Sequence, residues 1–174
     1  KTAPQYPPSF ELNRALCERA EAGAADFVFS MGKWRGYGGV TAHWDHTLEA
    51  LTLMAGLAAV TRRIELFATV HPLLLHPAVA AKMLVTLDDI SAGRAGLNVV
   101  TGWNKLEFSQ MGLWPGDDYY GRRYAYAAEW LLVLRRLWQT GRATHQGEHF
   151  QPDDCISQPR PRRSPPVVCA GMSE

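Results

Sequence analysis

A chain of 174 residues with 47% hydrophobic and 20% charged residues has the composition of a globular domain able to bury a core, which excludes collagen-like and disordered classes. With 18 basic and 17 acidic residues the net charge is +1, so no long-range field draws the chain toward nucleic acid or anionic lipid, and small neutral or mildly polar substrates are the expected partners. Cys17, Cys155 and Cys169 form neither a disulfide framework nor a paired metal-ligand spacing, and no run approaches the roughly 18 apolar residues of a spanning helix, so a reducing cytoplasm is the expected compartment.

Taken in chain order, Ser9 is placed to cap a helix with Leu12, Leu16 and Ala20 on one face, ending near Gly23 before an apolar strand over residues 27–31. Thr47 is predicted to cap a helix over residues 48–60, rich in Ala, Leu and Met, followed by a strand over 64–70. Pro77 suits the first turn of a third helix that runs to Ile90 and stops at Gly93, before a strand over 96–101. The longest helix is expected from Arg122 to about Gln139. A polar, proline-rich stretch follows, with residues 151–166 read as a loop, and the last strand covers 167–170.

This alternation of strand-period and helix-period runs predicts an α/β fold with a parallel sheet. The loops after strands, residues 32–46 and 102–118, are long and rich in glycine and aromatics, whereas those before strands, 61–63 and 92–94, are short. That asymmetry favours a (β/α)8 TIM barrel, whose active sites are built from the longer loops at the C-terminal face. A whole barrel takes about 250 residues, so about four βα units make an incomplete one. The expectation is a single partial-barrel domain over residues 1–174, lacking the first strand and the C-terminal half, and the absence of an initiator methionine suggests that an upstream segment is missing.

Several residues stand where chemistry is expected. Asn98 interrupts a buried strand, and a buried amide needs partners for two donors and an acceptor, whether structural or from a ligand. Residues 101–107 leave that strand toward the presumed active face. Arg122, Arg123 and Tyr124 open the long helix, where bare N–H groups, a guanidinium fork and a phenol suit a phosphate, although a solvated basic pair reads equally well. Residues 170–173 end the last strand like a barrel phosphate loop. His43, Asp45 and His46 fall short of the ligand set zinc requires, so no metal is expected. His71 and His76 flank a Pro-Leu-Leu-Leu turn and read as pocket wall. Asp88 with Asp89, Asp117 with Asp118, and Asp153 with Asp154 are sequence neighbours whose side chains diverge, which suits caps and turns better than acid and base catalysis. No Gly-x-Ser-x-Gly, Walker or dinucleotide glycine fingerprint occurs.

Residues 44–49, 52–61 and 100–103, together with Met111-Gly112-Leu113-Trp114-Pro115-Gly116-Asp117-Asp118-Tyr119-Tyr120 and Arg122-Arg123-Tyr124, resemble the pyrimidine oxygenases. These belong to the bacterial luciferase-like superfamily of flavin-dependent monooxygenases. Alkanesulfonate and dimethyl sulfone monooxygenases of that superfamily share the Asn-Val-Val-Thr-Gly strand but not the Trp-Pro-Gly-Asp-Asp run.

The resemblance implies that Gly32, Lys33, Asn98, Glu107, Arg123, Tyr124 and Ser173 hold FMN. It also implies that Thr69 and Asn98 line a small oxygen pocket as the catalytic pair, and that Met31 and Trp103 wall the isoalloxazine and substrate space. The implied reaction uses O2 and reduced FMN, supplied by a separate flavin reductase with NADH or NADPH, to form a flavin peroxide that attacks the uracil carbonyl beside N3 and opens the pyrimidine ring of uracil or thymine. A homo-oligomer is expected, with no nucleic-acid or membrane partner.

Two departures from the family pattern stand out. Residues 71–77 are bulkier and richer in histidine than the small, threonine-bearing family loop, and Gly32 replaces a larger residue. The alternatives are a luciferase-like oxygenase for a sulfonate, sulfone or haloaromatic, a metal-dependent barrel hydrolase using His43 and His46, and a non-catalytic truncated module.

Overall fold

The structure, a computed structural model, describes residues 6–169. Its main sheet holds four strands, β1 (Phe27–Phe29), β2 (Glu65–Val70), β3 (Ala95–Val99) and β6 (Val167–Cys169), hydrogen-bonded in the order β1-β2-β3-β6. Every pairing is parallel, with Phe29 opposite Phe67, Thr69 opposite Asn98, and Asn98 opposite Val168. The four segments expected as neighbouring strands are therefore neighbours, with shorter bounds: residues 30, 31, 64, 100 and 101 lie outside the strands.

The helices between the strands are α1 (Phe10–Ala22), α2 (Ala50–Val60), α3 (Pro77–Ile90), the short α4 (Lys105–Ser109) and α5 (Tyr119–Thr140). Ser9 caps α1 as expected, its hydroxyl accepting from the Leu12 N–H at 3.1 Å. Pro77 occupies the first turn of α3, where its missing N–H costs nothing, and His76 Nδ1 accepts from the Ala78 N–H at 3.2 Å. Thr47 does not cap α2. Glu49 does so, accepting from Leu51 and Thr52 N–H at 2.8 and 2.7 Å, while the Thr47 hydroxyl donates to the Lys33 carbonyl at 2.6 Å. A carboxylate satisfies two orphan donors and favours the positive helix end, which a hydroxyl matches only in part.

Beyond α5, Arg142–Ala143 (β4) and Cys155–Ile156 (β5) pair antiparallel, so the stretch expected as a plain loop contains half of a small two-stranded sheet. No helix among the described residues is long and apolar enough to cross a membrane.

Strand periodicity divides the main sheet into two faces. Leu66, Ala68 and Val70 of β2, with Leu97 and Val99 of β3, join the core formed with α2, α3 and α5, where Leu84, Leu87, Trp130 and Leu134 are also buried. Each such leucine contributes roughly 1.5–3 kcal/mol by leaving water. The opposite face carries Phe27, Phe29, Phe67, Gly96, Thr69 and Asn98. The three phenylalanine rings stand with centroids 4.8–5.7 Å apart, and Phe67 lies so close over Gly96 that an added Cβ would meet its ring at 2.6 Å.

Two polar anchors fix the sheet ends remote from this face's polar pair. The Arg94 guanidinium spends all five N–H groups on the Ser91 carbonyl, the Thr61 hydroxyl and the carbonyls of Ile64, Ala58 and Thr61. Glu21, at the end of α1, accepts from the N–H groups of Arg62, Arg63 and Ile64 just ahead of β2. These bonds, led by that of Ile64 and followed by that of Arg63, hold its carboxyl down to about 2 against the opposing effect of burial.

A depressed carboxyl stabilises the fold above its unfolded value and loses that contribution as pH falls toward its folded one. Glu21→Gln is therefore expected to cost on the order of 1–2 kcal/mol at pH 7 after solvent screening, and progressively less between roughly pH 4.5 and 2. Urea unfolding of both forms of the intact protein across that range measures it, and a difference independent of pH would contradict it.

Candidate functional site

The site grows from one polar spot on the open face of the sheet. Thr69 and Asn98 stand opposite each other in the β2–β3 register, and the Asn98 amide donates to the Thr69 hydroxyl at 3.0 Å. The Thr69 hydroxyl in turn donates to the Ser30 carbonyl at 2.5 Å, and Ser30, buried at the end of β1, accepts from the Thr69 N–H at 3.2 Å. The family resemblance paired Thr69 with Asn98 and passed over Ser30. The signal for Ser30 was the one that marked Asn98, a polar residue inside an apolar strand run. Because the Thr69 proton is committed to Ser30, the donor left for a ligand at this pair is the second N–H of the Asn98 amide.

Beside the pair, the loop after β1 crosses to α4. Lys33 Nζ lies 2.6 Å from Glu107 Oε2, and the Trp34 N–H donates to Glu107 Oε1 at 2.6 Å. The two side chains of this ion pair are only 8% and 4% exposed. Lys33 also stands 4.8 Å from the Tyr37 ring centroid and 5.8 Å from that of Trp103, so Trp103 borders the ion pair while remaining 57% exposed.

Gly32 is fixed by crowding. A Cβ there would stand 2.7 Å from Thr69 Cγ2 and 3.2 Å from His71 Nε2, so a larger side chain is excluded without movement. Gly32, Lys33, Thr69 and His71 share a cavity of about 710 Å3 whose apolar walls include Leu74 and Met111.

His71 is buried, with Nε2 2.7 Å from the Gly32 carbonyl and Nδ1 3.0 Å from the Val100 carbonyl. Burial holds its imidazole below the ordinary value. The Gly32 carbonyl, Glu107 and the Val100 carbonyl pull the other way without prevailing, and Lys33 acts in the same sense as burial. His76, by contrast, is a helix cap whose ring meets Phe150 edge-on.

Arg123 and Tyr124 lie one turn inside α5 rather than at its opening, because the helix starts at Tyr119, three residues before the expected start. Their backbone N–H groups are thus within the helical ladder, and what they present is side chains. The Arg123 guanidinium donates to the Tyr120 carbonyl and stacks 3.8 Å from the Tyr120 ring centroid and 4.4 Å from that of Tyr124. The start of α5 is tied to the exit of β3 by the buried Tyr119 hydroxyl, which donates to the Thr101 carbonyl at 2.5 Å. Met31 lines a different cavity, of about 450 Å3, with Leu16, Cys17 and Met54. Ser173 and residues 170–172 lie outside the described residues.

Most of the remaining candidates have structural partners, and His46 lines the cavity that Met31 borders. His43 stacks on Trp44 with centroids 4.6 Å apart, and Asp45 accepts from the Gly38 N–H at 2.8 Å. Among the described residues no group of three or more His, Cys, Asp or Glu side chains is placed to hold a metal ion. Asp88 accepts from the Arg162 N–H, Asp89 pairs with Arg162, Asp117 with Lys105, Asp118 with Arg122 and Asp154 with Arg142.

Gly32, Lys33, Thr69, Asn98 and Glu107 thus stand together on the open sheet face, linked by the Gly32 approach to Thr69 and by the Thr69–Asn98 and Lys33–Glu107 contacts, whereas the stacking of Arg123 on Tyr120 and Tyr124 lies within the first turns of α5. The sequence profile of the luciferase-like monooxygenases matches residues 1–174. The chain is 57% identical over 173 residues to a pyrimidine monooxygenase RutA of Methylorubrum extorquens, covering 99% of this chain and 48% of that protein. It is 55% identical over 174 residues to the pyrimidine monooxygenase RutA of Stutzerimonas stutzeri, covering 100% and 48%. The chain thus spans about half the length of the curated relatives it matches. In fold it is similar to the EDTA monooxygenase of Chelativorans sp. BNC1, with a TM-score of 0.84 at 22% identity over 95% of this chain and 43% of that one. It is likewise similar to a long-chain alkane monooxygenase, with a TM-score of 0.81 at 23% identity over 95% and 45%.

Proposed function

The chain belongs to the luciferase-like monooxygenase family, and from that premise we propose that the intact protein is an FMN-dependent oxygenase that opens the ring of uracil or a related pyrimidine. The observation that carries this reading is the Thr69–Asn98 pair on the open sheet face beside the Lys33–Glu107 ion pair, in a chain 55–57% identical to pyrimidine monooxygenases.

Reduced FMN, once bound, would supply the electrons that activate O2. The protein's own residues bind, orient and exclude water. Lys33, Arg123 and Tyr124 are the groups suited to the cofactor's anionic and polar edges, with Glu107 fixing Lys33 and Ser173 completing the set. The Asn98 amide keeps one N–H directed by its bond to Thr69, a preorganised donor for negative charge that develops during oxygen transfer. Leu74 and Met111 give the adjoining cavity apolar walls that keep the partial charges there poorly screened. Reduced cofactor would come from a separate reductase using NADH or NADPH.

Two measurements on the intact protein test the reading: titration with FMN followed by flavin fluorescence, and addition of chemically reduced FMN, O2 and uracil followed by loss of the ring's ultraviolet absorbance. Saturable FMN binding and loss of uracil absorbance are expected. Oxidation of an alkanesulfonate with no action on uracil would overturn the substrate, and failure to bind FMN would overturn the cofactor.

A further inference from the structure

His71 is not among the groups assigned to FMN or oxygen, yet the local structure is arranged around it. The residue is 4% exposed, and its ring lies between two backbone carbonyls from different loops: Gly32 O, in the loop after β1, and Val100 O, at the exit of β3. The edge of Phe108, the residue after Glu107, meets the ring with centroids 5.4 Å apart at 71°. The absence of a Cβ at Gly32 is what lets Nε2 approach, since that atom would stand 3.2 Å from the nitrogen. Immediately after Gly32 come Lys33 and Trp34, the two groups that meet Glu107, and immediately after Val100 comes the segment carrying Trp103.

We infer that His71 is a positioning residue: its imidazole, seated at the exit of β2, clasps the loop after β1 through the Gly32 carbonyl, and so holds Lys33 and the Trp34 N–H against Glu107. Its consequence for flavin rests on the proposed FMN site, whereas the clasp stands on the 2.7 Å contact with the Gly32 carbonyl. A neutral imidazole has one N–H. The shorter contact, at 2.7 Å to Gly32, takes it, so the loop that carries Lys33 is held by the hydrogen bond, while Nδ1, without a proton, only faces the Val100 carbonyl. The charged groups facing the ring are Lys33 from that loop and Glu107 from α4, each the other's partner, so moving the loop disturbs both.

The test compares wild type, His71→Phe and His71→Gln in the intact protein. Phenylalanine keeps the ring and its contact with Phe108 but donates nothing, while glutamine restores an N–H able to reach the Gly32 carbonyl. Two readouts are taken: amide hydrogen exchange at Trp34 without flavin, and the FMN dissociation constant. Losing the bond is expected to speed Trp34 exchange and to weaken FMN binding, each by up to about tenfold. The buried amides of Leu84 and Leu87 in α3 should not change, and glutamine should recover most of the loss. Wild-type exchange at Trp34 in His71→Phe would overturn the clasp, as would a uniform rise that includes α3 and that glutamine does not reverse. If wild type binds no FMN, the cofactor reading fails, and Trp34 exchange alone still decides for or against the clasp.

Discussion

Asn98→Ala is expected to lower uracil ring opening by the intact protein about a hundred- to a thousand-fold while changing FMN affinity by only a few-fold. The amide is held by the Thr69 hydroxyl at 3.0 Å, which leaves its second N–H aimed and paid for in advance of any reaction. Removing one preorganised donor at developing negative charge typically costs about 3–4 kcal/mol of barrier. The cofactor would keep its contacts through Lys33, Arg123 and Tyr124, so binding should suffer far less. Thr69→Ala should cost less than Asn98→Ala, because it removes the amide's anchor rather than the donor. Thr69→Ser, which preserves the hydroxyl that donates to the Ser30 carbonyl, should recover much of the loss. Turnover with chemically reduced FMN and an independent FMN titration separate these effects. Wild-type turnover in Asn98→Ala would remove that residue from the chemistry.

The largest expected effect on stability comes from the Lys33–Glu107 pair. Its side chains are 8% and 4% exposed, and the Glu107 carboxylate also accepts from the Trp34 N–H. Lys33→Met leaves a buried carboxylate without its cation, a loss expected to cost about 3–5 kcal/mol. Glu107→Leu strands the ammonium and the Trp34 N–H together and should cost a similar amount. The double variant should recover the part due to the unpaired charge, while the Trp34 N–H stays without its acceptor. Denaturant unfolding of the four proteins gives the coupling directly. Additive losses would mean that the pair does not act as a unit.

Much of this architecture was legible because strand and helix periods are long-range features of a sequence, insensitive to single residues. The four parallel strands and the helices at residues 10, 77 and 119 followed from that patterning, with errors at the ends. The start of α2 was misplaced because Thr47 and Glu49 both have capping chemistry, and the hydroxyl was claimed by the Lys33 carbonyl from earlier in the same loop. The start of α5 was set three residues late because the Arg122-Arg123-Tyr124 run was read as the helix opening, whereas the buried Tyr119, bonded to the Thr101 carbonyl at the exit of β3, already lies in the first turn.

At the site, Asn98 declared itself as an amide in a buried strand, whereas Thr69 was reached only through the family resemblance, and the β2–β3 register then places the two opposite each other. Ser30 and the clasp at His71 were missed, since each depends on backbone carbonyls that a sequence does not place. The absence of a side chain at Gly32 and the bulk of His71 were both visible as departures from the family pattern. That they meet in space was not.

Arg94 carries a consequence for how the molecule comes apart. Its five hydrogen bonds reach the end of α2, the turn into β2 and the turn out of α3, so none of these segments can leave without stranding part of a guanidinium that cannot shed its charge. Successive βα units are therefore expected to open together, as one foldon with a single opening free energy in amide hydrogen exchange, so that the polar face they support is presented or lost as a whole.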